Sequence, residues 1–283
     1  MPLWTPGPRS VYVLNNYGAN PSDTPGISVV PGASDAEGAW TASGLGVLSA
    51  DVYWIKLHVH SGLTSTAIKR HVLDIGVDPA GGTSYAAIIS DILCGSSAGL
   101  ASGGAPGHQF LFPLWVAAGS TIGVRIQGSN ATAGTVYVGL QVRGQLDQPW
   151  LNPYGRWSET LGVTGSNGIS FTPGNGADGA YASLGTTTRE CWWWQLGYQI
   201  SSGSITAEAT YVELAWGDAS NKNTILLLMH RGNTSEGIGS PINENLLSCC
   251  ALVRVPVGSN LYVRGRCLNA PDTGYQAAAI GIA

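Results

Sequence analysis

The chain has 283 residues, enough for one large domain or two of ordinary size. Charged residues make up only 11 % of it, where ~25 % is usual for soluble proteins. The net charge is −4, the basic residues are scattered singly, and no apolar run approaches the ~20 residues of a membrane span, so nucleic-acid binding and membrane insertion are set aside.

The N-terminus, Met1-Pro2-Leu3-Trp4-Thr5-Pro6-Gly7-Pro8, lacks the charged start and apolar core of a signal peptide, so assembly in a cytoplasm is expected. Cys94, Cys191, Cys249, Cys250 and Cys267 fit that compartment: the count is odd and no C-x-x-C spacing occurs. Adjacent Cys249 and Cys250 would point to opposite faces of a strand, and all five read as buried thiols. The sequons at Asn130 and Asn233 carry no meaning without secretion.

Further along, period-two alternation predicts strands throughout. Over Asp51 to His60, Tyr53, Ile55, Leu57 and Val59 face inward, and Trp54, Lys56, His58 and His60 face outward. Leu73, Ile75 and Val77 then alternate with Asp74, Gly76 and Asp78. Gly95 to Gly107 reads as a long loop leading into Phe110-Leu111-Phe112, not as a phosphate cradle before a helix. After Gly119, Ile122, Val124 and Ile126 face inward, with Arg125 and Gln127 outward.

The same pattern then returns. Gly119-Ser120-Thr121-Ile122-Gly123-Val124-Arg125 recurs 139 positions on as Gly258-Ser259-Asn260-Leu261-Tyr262-Val263-Arg264. That offset also aligns Asp51 to Leu57 with Glu190 to Leu196, Leu73 to Ile75 with Val212 to Leu214, and Val136 to Gly144 with Tyr275 to Ala283. Near the start of each copy, Gly26-Ile27-Ser28 with Pro31-Gly32 matches Gly168-Ile169-Ser170 with Pro173-Gly174. In the second copy Trp192, Trp194, Leu196 and Tyr198 are predicted inward, against Trp193, Gln195 and Gly197. Val212, Leu214 and Trp216 likewise alternate with Glu213 and Ala215, and Leu261 and Val263 with Tyr262, Arg264 and Arg266.

So long a period implies a whole domain per copy, not a solenoid repeat. Two tandem antiparallel β-sandwich domains of jelly-roll type, related by internal duplication, are expected over residues 1–148 and 149–283, with about seven or eight strands each. The join is placed in 144–157, where Pro149 and Pro153 flank a Trp150 that would pack between the domains. An immunoglobulin-like sandwich would need a Cys…Trp…Cys spacing that is absent.

Candidate sites are few. His58 and His60 share a strand face at a spacing that suits zinc or copper, but no third ligand is identifiable and the second copy has Gly197 and Gln199 there. A polar face shared with Lys56 is the plainer reading, and no metal or cofactor is expected. Asp74 and Asp78, with Glu213 and Asp218, could suggest acid–base pairs. Because the carboxylate recurs in both copies at an outward position, as Arg125 and Arg264 do, exposed cross-strand ion pairs explain it better. No nucleophile elbow, P-loop or dinucleotide fingerprint occurs, so no catalytic residue is assigned. The outward pair Trp54 and Trp193 needs a cover, whether a neighbouring subunit, a loop of its own domain, or a sugar ring.

The tandem sandwich, the Pro-Gly-Ile-Ser opening and the strand Ala118 to Arg125 resemble virion proteins of tailed bacteriophages. Jelly-roll modules in that group serve as tail fibres, baseplate parts, head spikes and capsid decoration proteins. The resemblance implies a non-enzymatic particle component, assembled in the host cytoplasm, whose partners are other virion proteins, copies of itself and a host-surface glycan. The chain lacks the heptads or β-helical shaft of a long fibre, which favours a compact docked element. A carbohydrate-binding module is the alternative reading, and a glycan hydrolase a weaker one.

Overall fold

The computed structural model describes residues 12–16, 26–61, 69–97, 108–129, 136–144, 155–200, 209–231, 250–267 and 275–283. The fold is all-β, and no helix occurs among the described residues. The first domain has β1 (Val13–Asn15), β2 (Ile27–Val29), β3 (Thr41–Ala42), β4 (Val52–Ser61), β5 (Lys69–Asp78), β6 (Ala86–Ser97), β7 (His108–Phe112), β8 (Thr121–Gly128) and β9 (Val136–Gly144). The second has β10 (Ser158–Leu161), β11 (Val163–Thr164), β12 (Asn167–Phe171), β13 (Gly174–Asn175), β14 (Ala182–Thr186), β15 (Cys191–Ile200), β16 (Ala209–Gly217), β17 (Lys222–Arg231), β18 (Cys250–Val255), β19 (Asn260–Cys267) and β20 (Tyr275–Ile282).

Each domain is a jelly roll. In the first, β2-β9-β4-β7 faces β3-β8-β5-β6; in the second, β12-β20-β15-β18 faces β14-β19-β16-β17. Pairing repeats at the sequence offset: Ile55 lies between Val142 and Phe112, as Trp194 lies between Gly281 and Ala251. Gly119 and Gly258 take positive φ, 85° and 79°, at equivalent turns, a conformation that glycine adopts without steric cost. Residues 145–154, the middle of the predicted join with Trp150, lie outside the described residues, as do Cys249 and 98–107.

Inward residues follow the alternation with one correction. Ile55, Leu57 and Val59 are buried, but Tyr53 is only half-buried and Val52 takes the core position instead. In the second copy Cys191 and Trp194 line the core, while Trp192 packs outside it. The cause is a register shift at the same place in both: Val52 and Ile55 oppose Val116 and Phe112, and Cys191 and Trp194 oppose Val255 and Ala251. Against β9 the extra residue lies on β4 itself, since Val52 and Trp54 oppose the adjacent Gly144 and Arg143, and such a bulge breaks strict period two.

The domains join through a tight apolar seam. Trp193, Cys250, Ile280 and Ile282 of the second domain merge into the hydrophobic cluster of the first. Val72 and Leu93 meet Ala278 and Val163. Polar contacts flank them: the Ser158 and Thr160 hydroxyls donate to the Ile88 and Ser90 carbonyls at 2.7 and 2.5 Å, and the Leu111 N–H donates to the Gln195 carboxamide at 3.1 Å. Gly197 makes room for Leu93, since a Cβ there would stand 2.9 Å from the Leu93 Cβ and 3.3 Å from its carbonyl oxygen. Gly197→Val is therefore expected to lower stability by about 1–3 kcal/mol by wedging the seam. Calorimetry should show the domains melting separately; one unchanged transition would mean the seam tolerates the wedge.

Cys94, Cys191, Cys250 and Cys267 are buried and none is in a disulfide. Burial pushes the Cys94 thiol up, and burial followed by the Glu159 charge pushes Cys191 up to about 12, so neither is a ready nucleophile.

Candidate functional site

The most elaborate polar arrangement occurs twice, on the outer faces of β5–β8 and β16–β19. Asp74 sits opposite Arg125 and Glu213 opposite Arg264, so each guanidinium crosses to a carboxylate on the neighbouring strand. The Arg125 Nε donates to Asp74 at 2.8 Å, and the same guanidinium pairs with Glu37. Arg264 pairs in the same way with Glu213 and, at 3.0 Å, with Asp178. An aromatic ring closes each cluster: Trp40 lies 4.6 Å from the Arg125 guanidinium and Tyr181 lies 4.4 Å from that of Arg264. A second ring stands beside the first, Tyr85 at 5.7 Å from Trp40 and Tyr262 at 6.1 Å from Tyr181.

The second ring is supplied differently in the two copies. In the first domain Gly76 and Gly123 are paired across the strands, and a Cβ on either would strike Trp40 or Tyr85. The glycines thus leave a floor on which both rings rest. In the second domain Ala215 and Tyr262 occupy those positions, and Tyr262 rises from the strand itself. Lys222 places its ammonium 4.3 Å from that ring.

These pairs match the cross-strand ion pairs expected from the sequence, but the carboxylates are not exposed. Asp74, Asp78 and Glu213 are buried: the segments carrying Glu37–Trp40 and Asp178–Tyr181 flank Asp74 and Glu213 through the shared arginines, and Asp78 is held by the turn that follows it. Asp78 accepts the Ala80 and Ser84 amides, and Asp218 those of Ser220 and Asn221, so both serve turns. No acid–base pair is assembled from the four. Asp91, at φ 60°, lines a small hollow with Glu37, Asp74 and Arg125. Its carboxyl is raised by burial, then by Asp74 and Glu37, with Arg125 opposing.

Trp54 and Trp193 do face away from their own sandwich cores, and each covers the other. Their rings meet edge to face, 5.6 Å apart at 79°, and Trp193 is 6 % exposed. The cover is thus the sister domain of the same chain, which is none of the three covers weighed from the sequence. His58 is half-buried, and the His60 side chain lies outside the described residues; among the described residues no group of three or more potential ligands could hold a metal.

Burial, and after it the Lys56 charge, holds His58 down at about 4. That lies below the 6.5 of an ordinary histidine, so the unfolded chain takes up the proton first. Stability complete above pH 6.5 should therefore be lost as pH falls towards about 4. Denaturant midpoints across that range should drop less in His58→Gln, and equal slopes would show that His58 does not titrate there.

No family model matches this sequence, and no curated protein matches it. Among solved structures it is similar to a recombinant N-glycanase F (PNGase F), at 11 % identity and a TM-score of 0.35 over 96 % of each chain. PNGase F described as a glycosylasparaginase from Flavobacterium meningosepticum gives 11 % and 0.32, over 97 % of this chain and 96 % of that one. The N-terminal CBM22-1–CBM22-2 tandem from Paenibacillus barcinonensis Xyn10C gives 10 % and 0.26, over 96 % and 91 %. Backbones this divergent carry no residue role across.

Sequence reasoning found Asp74, Arg125, Glu213 and Arg264 but not Glu37, Trp40, Asp178 or Tyr181. Those four lie in irregular segments with no alternation. A carboxylate followed three residues later by an aromatic, after each Pro-Gly, was the available signal.

Proposed function

We propose that the chain is a non-catalytic structural component of a bacteriophage particle, assembled in the host cytoplasm and working through protein–protein contacts. The observation that carries this reading is the fate of the duplicated carboxylates. Asp74 and Glu213 are each committed to an arginine, leaving neither as a spare general base. The seam supports it too, because a docked block that transmits contacts needs its two domains held as one body. Labelling this chain in purified particles tests the reading: a fixed position in the particle is expected. Particles that lack the chain would sink it.

A second reading, recognition of a surface polysaccharide, is favoured by the ring pairs Trp40–Tyr85 and Tyr181–Tyr262, each beside hydrogen-bonding charges. A glycan screen on the purified chain separates the two. Saturable binding lost in Trp40→Ala would favour the second reading, and uniform silence would remove it.

A further inference from the structure

Both sandwiches lay two aromatic rings over the strands that carry the arginine, but only one pair is left open. In the first domain a Cβ at Gly123 would stand 2.8 Å from each of three consecutive ring carbons of Tyr85. A point equidistant from three ring carbons lies on the ring axis, so Tyr85 rests face down on Gly123. The benzo end of Trp40 rests on Gly76, 2.6 Å from where a Cβ would stand. Rings laid over glycines stabilise a sheet, which accounts for the inner face of Tyr85 but not for its outer one. Tyr85 is half-buried, and among the described residues no cation lies over it.

In the second domain the outer position is taken. Lys222 places its ammonium 4.3 Å from the centre of the Tyr262 ring and 5.1 Å from that of Tyr181. It is clamped there by donating to the Asp218 and Ala219 carbonyls at 2.6 and 3.1 Å.

We propose that the Trp40–Tyr85 platform binds one sugar ring of an uncharged polysaccharide, and that the Tyr181–Tyr262 pair, closed by Lys222, binds none. The inference rests on the second reading, recognition of a surface polysaccharide, and assigns it to one domain. An open aromatic face receives the C–H face of a pyranose ring, as apolar surface with a few polar groups at its edge. The platform is set before any ligand arrives. Asp78 accepts the Ala80 and Ser84 amides, and the Thr121 hydroxyl donates to the Gly82 carbonyl at 2.6 Å, which fixes the turn entering Tyr85. Glu37, with its side chain 46 % exposed, shares Arg125 with Asp74 and Trp40 and is placed to accept a sugar hydroxyl.

Charge disfavours acidic sugars here. Glu37, Asp74, Asp78 and Asp91 outnumber Arg125 on this side of the first domain. Arg70 shares the β5 face but lies six residues from Gly76, ~20 Å at the strand rise, past Val72 and the cover it receives from the second domain.

Affinity electrophoresis of the purified full chain tests this, in gels holding a soluble neutral glucan, galactan or mannan, with polygalacturonate as the charged comparison. Retardation by at least one neutral polymer is expected, and none by polygalacturonate. Tyr85→Ala should weaken binding about tenfold, and Tyr262→Ala should leave it within about twofold. Hydroxyl-radical footprinting of the unaltered protein locates the site if Tyr85→Ala melts below the parent: the bound polymer should shield Trp40 and Tyr85 but not Tyr262. No retardation in any gel sinks carbohydrate recognition and this assignment together. Retardation that survives in a folded Tyr85→Ala, shields Tyr262 or occurs only with polygalacturonate overturns the assignment alone and leaves recognition standing.

Discussion

Trp194→Ala is expected to destabilise the protein by about 3 kcal/mol, at the low end of the range for removing a buried tryptophan. Trp194 is fully buried in the second core, and its ring packs over Gly281, where a Cβ would stand 2.8 Å from two ring carbons. That close fit leaves the surroundings little freedom to collapse into the space vacated, which argues for a large loss. The indole N–H sets the limit, since it is buried without a hydrogen-bond partner. Removing it relieves a desolvation penalty of about 1 kcal/mol or more and offsets part of the cavity. Urea unfolding followed by circular dichroism measures the difference. A loss under 1 kcal/mol would mean the second core repacks freely.

Arg264→Met is expected to cost about 3 kcal/mol at neutral pH, because it strands a buried carboxylate. Glu213 is 9 % exposed and keeps only the Thr224 hydroxyl and Tyr181 beside it once the guanidinium is gone. Adding Glu213→Leu should restore most of the stability at pH 7, since an apolar pair of similar volume replaces a broken ionic one. A double variant no better than the single one would show that Arg264 acts through packing on Tyr181.

Much of this architecture was legible in the chain. The repeat at one offset gave both copies, and alternation through Ile55-Leu57-Val59 and Leu73-Ile75-Val77 gave the core faces. The Asp74–Arg125 and Glu213–Arg264 pairs followed because the offset carried acid and base together. Tyr53 and Trp192 were misplaced because β4 and β15 pair irregularly near their first residues, between Val52 and Trp54 and between Cys191 and Trp193, which alternation along one strand does not announce. Alternation also shows that Trp54 and Trp193 point outward without showing what they meet. Their meeting depends on how one domain rests on another, which is a tertiary outcome.

The seam also gives the molecule an optical signature. Trp54 and Trp193 belong to different domains, yet their indoles stand 5.6 Å apart and nearly perpendicular. Transition dipoles that close couple and split the near-ultraviolet circular dichroism into bands of opposite sign. The coupling depends on docking and not on whether either sandwich is folded alone. Trp54→Ser should erase the split bands while far-ultraviolet strand signal persists, so domain separation can be followed in unlabelled protein under conditions where every strand remains paired.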